Sequence, residues 1–157
     1  MKLDEIRSKI VQVTKTYLGE KFWLGKSGDL LNSFTCAHLV LNAYYDAKIL
    51  KEYPNTKVLF AKAYTDSMRG VDTPFANGVD EYFDRKNKED ILPGDFVLFI
   101  YNESFRAHAG VYIGDGKFID TNPNRGYVAE TTLEQMIKDA SDDFKYYIVY
   151  DGLSCKK

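Results

Sequence analysis

Two residues of this chain have side chains whose type and placement suit covalent chemistry. Cys36 lies near the head of an apolar, helix-like run, Thr35-Cys36-Ala37-His38-Leu39-Val40-Leu41. His108 opens a second apolar stretch, His108-Ala109-Gly110-Val111-Tyr112-Ile113. A thiolate is a strong nucleophile, and an imidazole beside it can take and return its proton. A helix start favours the thiolate, because aligned peptide dipoles place roughly half a positive charge there. First-turn amides can also hold the oxyanion that forms when a thiolate attacks an acyl carbon. The other histidine, His38, follows Cys36 by two residues in the same run. Residues so spaced do not face each other on a helix. His108 is therefore the expected base, and His38 a packing or cleft-wall residue.

The rest of the chain must supply elements that carry these two groups. Ile6, Ile10, Val13 and Tyr17 recur at helical spacing, so residues 4–18 read as an amphipathic helix that Gly19 ends. In the loop that follows, Phe22 and Trp23 are candidates to line a cleft. A second helix is expected over residues 36–48, with Thr35 as its N-cap and Leu39, Val40, Ala43 and Ala47 as its buried stripe. A third is expected near residues 58–68. The charge run at residues 84–90 reads as an exposed loop. Leu92-Pro93-Gly94-Asp95 is a turn signal, with Asp95 as a turn residue. Strands are expected at 96–101, 107–113, 117–122 and 144–150, with a short helix at 132–140 before the last. Helices first and antiparallel strands after indicate an α+β fold, and residues 1–157 read as one domain.

The hairpin around Gly114-Asp115-Gly116 bears directly on the chemistry. A two-residue turn would pair Gly114 with Lys117 and put His108 and Asp120 on opposite sheet faces, since faces alternate with period two. A three-residue loop would pair Ile113 with Lys117 and place the left-handed residue such loops need at Gly116. His108, Gly110, Tyr112, Phe118, Asp120 and Asn122 then share one face, and the aliphatic Val111, Ile113 and Ile119 share the other. That sorting favours the second register. It sets Asn122 opposite His108 and Asp120 diagonal to it, and either is within reach as an acceptor that fixes the imidazole tautomer.

Composition narrows the functional classes. The 157 residues are 45% hydrophobic and 15% aromatic, with a net charge of −2. That suits a packed globular domain and lacks the basic footprint of a nucleic-acid binder. Charges interrupt the first ten residues, so they are not a signal peptide, and the longest apolar run, Phe96 to Tyr101, is too short for a membrane span. The expected chain is soluble. Two cysteines make no disulfide framework, Cys155 reads as a non-functional tail thiol, and the spacing of cysteine and histidine suits no metal.

Four segments in order resemble the NlpC-type cell-wall peptidases of the papain-like cysteine peptidase superfamily. They are Tyr17-Leu18-Gly19-Glu20-Lys21-Phe22, Phe34-Thr35-Cys36-Ala37-His38-Leu39-Val40, Leu92-Pro93-Gly94-Asp95-Phe96-Val97-Leu98-Phe99, and the hairpin from His108 to Asp120. The resemblance implies an NlpC-type fold, with N-terminal helices packed on a central antiparallel sheet. It implies Cys36 as nucleophile, His108 as base and Asp120 in the polar third position. The implied reaction is hydrolysis of an amide bond in a peptidoglycan stem peptide, with no cofactor and no metal, at the cell envelope. Phe22, Trp23, Thr35, His38 and Asn122 are candidate substrate contacts. The family's usual Asp-Cys-Ser-Gly is here Thr35-Cys36-Ala37-His38, and its tyrosine before the nucleophile loop is Phe22. Those departures raise two alternatives: an amidase, transacylase or lipid thioesterase on the same fold, or a non-catalytic muropeptide-binding module.

Overall fold

A computed structural model of the chain describes residues 2–21, 39, 40, 43, 44, 46, 47, 79, 80, 83–102, 107–122, 124–140 and 142–154, with Ala107 described by its backbone alone. Helix α1 spans Leu3–Lys15. Its acidic first turn, Asp4 and Glu5, and Lys15 in its last turn both complement the helix dipole. The helix stops short of residue 18. The amides of Thr16, Tyr17 and Leu18 instead bond carbonyls three residues back. This tighter winding leads to Gly19, whose φ of +90° turns the chain away.

Among the described residues, six strands form one sheet in the order β1-β6-β2-β3-β4-β5. They are β1 (Arg85–Lys86), β2 (Phe96–Tyr101), β3 (Ala107–Gly114), β4 (Lys117–Asp120), β5 (Ala129–Thr132) and β6 (Phe144–Tyr150). Every strand pairing is antiparallel. Helix α2 (Leu133–Asp139) separates β5 from β6. Thr132 caps it, its hydroxyl accepting from the Gln135 amide at 3.1 Å. No described helix is long and apolar enough to cross a membrane.

Strand β2 lies inside the sheet with all six residues buried, as its unbroken apolar run requires. Phe96, Leu98 and Ile100 enter a core with Ile10 of α1 and the helical residues Val40 and Tyr44. Val97, Phe99 and Tyr101 enter a second core with Phe118 and with Met136 of α2. The sheet is thus covered by α1 with Val40, Tyr44 and Ala47 on one face and by α2 on the other. A third cluster joins Leu39 to Ile119 and Val128, with Tyr17 and Ile113 against it.

Further details differ from the sequence expectations, among them the strand expected over 117–122, which ends at Asp120. Arg85–Lys86 is an edge strand on β6, and residues 88–90 form a 3-10 turn, where an exposed loop was expected over the charge run. An edge strand needs no apolar alternation when Lys86 can reach inward to Asp95 at 2.8 Å. Strand β5 was not anticipated, because Ala129-Glu130-Thr131-Thr132 has no apolar alternation and lies at the other edge. Asp95 is a turn residue, but also a fully buried anion. Its carboxylate accepts from Arg7 at 2.8 Å, Lys86 at 2.8 Å, and the amides of Leu92 and Gly152 at 2.9 Å each. The expected helices over 36–48 and 58–68 lie wholly or mostly outside the described residues, although Leu39, Val40, Ala43, Tyr44 and Asp46 are helical.

Candidate active site

The β3–β4 hairpin decides which side chains meet. Gly114 pairs with Lys117 around a two-residue turn, and Asp115 and Gly116 take φ of +53° and +72°. Such a doubly left-handed turn matches strand twist and suits an Asp-Gly pair. A bulge then shifts the register between Tyr112 and Gly114, so that Tyr112 faces Phe118, Val111 faces Ile119 and Gly110 faces Asp120. The turn therefore closes as the two-residue alternative, while the strands run in the register expected of the three-residue loop. One extra residue at the bulge restores the parity that the turn would have reversed.

That parity puts His108 and Asp120 together. Nε2 of His108 lies 2.9 Å from Oδ2 of Asp120. The two residues are diagonal rather than opposite, because strand pairing ends at Gly110–Asp120. The Phe99 ring, directly across on β2, meets the imidazole edge-on at 5.6 Å between centroids. Asn122 Oδ1 accepts from the Arg125 amide at 2.8 Å.

Asp120 is nearly inaccessible to solvent, at 2% exposure. Burial by itself would raise its carboxyl pKa. The hydrogen bonds and charges of His108 and Arg125 outweigh that penalty and hold the group below the ordinary carboxylate range. An ionised carboxylate only accepts hydrogen bonds, so Nε2 of His108 must be the donor. Nδ1 is then the basic nitrogen of the neutral ring.

Arg125, in the turn after β4, is a residue that the sequence reading does not single out. Its Nη2 folds back to Oδ1 of Asp120 at 2.7 Å. The available signal was a glycine-closed turn short enough to return an arginine onto the strand it has just left. Beside this turn, Lys21 bridges Tyr127, and the amides of Gly19 and Val128 bond Val128 and Glu20 carbonyls. The chain leading toward Phe22 is thereby anchored next to Arg125. Cys36, Thr35, His38, Phe22 and Trp23 lie outside the described residues. Leu39, three residues after Cys36, is buried in the cluster containing Ile119, the residue before Asp120. Among the described residues no group of three His, Cys, Asp or Glu side chains could hold a metal ion.

A sheet of this order, helices on both faces and a histidine–carboxylate pair on a central hairpin outline an α+β domain of NlpC type. Residues 19–144 match the model of the NlpC/P60 family, and the chain belongs to that family. It is similar in fold to NlpC1 from Trichomonas vaginalis, with 21% identity over 96% of this chain and 45% of that one, at a TM-score of 0.56. The peptidoglycan hydrolase RipB from Mycobacterium tuberculosis is 13% identical over 95% of this chain and 65% of its own, at a TM-score of 0.57. RipD from the same organism, described as a non-catalytic NlpC/p60 domain protein adapted to peptidoglycan binding, is 13% identical over 92% and 95% of the two chains, at a TM-score of 0.52. The chain thus spans less than half of NlpC1 and under two thirds of RipB. No curated protein sequence matches it.

Proposed function

We propose that this chain is a cysteine hydrolase that cleaves an amide bond in peptidoglycan stem peptides. The observation that carries the reading is the His108–Asp120 contact at 2.9 Å, which commits Nε2 to an ionised carboxylate and leaves Nδ1 as the base. In this reading Nδ1 takes the Cys36 proton. The thiolate adds to the substrate carbonyl, and first-turn amides near Cys36 hold the oxyanion. The carbon–nitrogen bond breaks as His108 returns the proton to the leaving amine, and a thioester remains on Cys36. Water, deprotonated by His108, then displaces the thiol and releases a carboxylic acid. Family membership and the fold shared with RipB support a cell-wall substrate and action at the cell envelope.

Purified protein incubated with stem peptides should release new amino termini. Cys36→Ala and His108→Ala should abolish that release while leaving the fold intact. A second reading has a specific observation behind it: RipD keeps this fold without catalysis, and Thr35-Cys36-Ala37-His38 departs from the usual nucleophile motif. A muropeptide-binding module would bind muropeptides equally well with Cys36→Ala and would turn none over. The amidase, transacylase or thioesterase alternative would leave acyl adducts on Cys36, from lipid or peptide donors, that mass spectrometry distinguishes.

A further inference from the structure

We infer that Arg125 is a positioning residue for the His108–Asp120 pair, an inference that rests on the hydrolase reading above. A carboxylate turns easily about its last torsion, so one ring nitrogen cannot by itself fix which oxygen it meets. Here the two oxygens are divided. Oδ1 of Asp120 receives Arg125 Nη2 at 2.7 Å, and Oδ2 receives His108 Nε2 at 2.9 Å. The guanidinium is planar with donors in a fixed fork, so each further bond constrains the one to Oδ1.

Those further bonds are present. Nη2 also reaches the Asp120 carbonyl at 2.5 Å, and Nε reaches the Tyr127 carbonyl at 2.8 Å. The Arg125 amide is held by Asn122 Oδ1 at 2.8 Å, and the Gly126 amide by the Asn122 carbonyl at 2.8 Å. Arg125 therefore spans the turn from the end of β4 to the approach of β5 and presses the carboxylate into one orientation. Its side chain is only 19% exposed and the carboxylate 3%, which limits screening by solvent. Asp120 is the charged group in contact with the imidazole through Nε2, and Arg125 lies against Asp120. Strand β2 presents Phe99 to that face, and α2 contributes the uncharged Met136. The arginine thus has two effects on Asp120: it aims Oδ2 at His108, and it keeps the group an acceptor, so that the imidazole stays in the tautomer with Nδ1 basic.

Nitrogen-15 NMR of the imidazoles tests this without requiring turnover. The chain has two histidines, and His38→Gln assigns the signals. Wild-type His108 should show one tautomer, protonated at Nε2. Arg125→Gln should give a tautomer mixture, and alkylation of Cys36 by iodoacetamide at neutral pH should slow by about tenfold or more. Arg125→Lys keeps the charge but cannot hold Oδ1 and both carbonyls, so it should fall between the two. Should the glutamine variant not fold, the lysine variant decides alone, by an imidazole shift in the same direction. A lowered melting temperature with an unchanged His108 spectrum would overturn the inference and leave Arg125 as a loop tie. A wild-type Cys36 that alkylates no faster than Cys155 would sink the hydrolase reading instead, while the NMR comparison would still decide the role of Arg125.

Discussion

Asp120 has two customers with opposite tolerance for substitution. Both Arg125 and His108 donate to it, so an ionised carboxylate satisfies both. In Asp120→Asn the one remaining acceptor oxygen goes to the arginine, and the amide NH2 is left facing Nε2. That forces the imidazole to carry its proton on Nδ1, the nitrogen that the proposed mechanism assigns to the thiol proton. Asp120→Asn should therefore keep a folded protein yet lose about 10²- to 10⁴-fold in kcat on a stem peptide, with His108 in the opposite tautomer by NMR. A variant within twofold of wild type would remove Asp120 from the mechanism. This arrangement was half legible in the sequence. The parity of His108 and Asp120 followed from an all-aliphatic opposite face. Arg125 did not, because nothing in a short polar turn states where its longest side chain returns.

At the scale of elements, the Asp95 cluster joins parts of the chain that share no strand pairing. Arg7 of α1 also donates to the Pro93 carbonyl at 3.1 Å and to Asp151 at 3.3 Å, beyond β6. Tyr44 donates to the Gly94 carbonyl in the same turn. One buried carboxylate thus fastens α1, edge strand β1, the turn before β2 and the segment after β6. Asp95→Ala would leave Arg7 and Lys86, both largely buried, without their anion. It should cost about 3–5 kcal/mol in denaturant unfolding. A loss below ~1 kcal/mol would reduce the cluster to decoration. The turn was visible in Leu92-Pro93-Gly94-Asp95, but its burial was not: partners as distant as Arg7 and Gly152 leave no local pattern. By contrast β2 and β6 are legible to the residue, because Phe96–Tyr101 and Phe144–Tyr150 are dense in β-branched and aromatic side chains. Strand β5 takes its place from pairing with β4 and from no such composition.

For the whole molecule, two titrations bound the range of stability. Asp120 has a depressed pKa in the folded state. Its contribution is present above the unfolded value of about 4 and is lost as pH falls through the lower folded value. Acid unfolding should therefore steepen below about pH 4, and Asp120→Asn should flatten that limb. Tyr44 is raised in the folded state, first by burial and then by the Asp95 charge, with Arg7 opposing and Asp151 adding. Its neutral form is favoured by folding, so its contribution is intact below about pH 10 and is lost as pH rises beyond. Tyr44→Phe should blunt alkaline unfolding above that point, as followed by circular dichroism. Both limbs act on the same sheet, since Tyr44 packs against β2 and Asp120 ends β4.

The central claim is that Cys36 is activated by His108. The rate of iodoacetamide alkylation at Cys36 and Cys155, followed by mass spectrometry from pH 5 to 9 in wild type and in His108→Ala, tests it most directly. Cys36 should react faster than Cys155 near neutral pH, and His108→Ala should bring it back to the rate of an ordinary thiol. Equal, slow alkylation of both cysteines in wild type, unchanged by His108→Ala, would contradict the account.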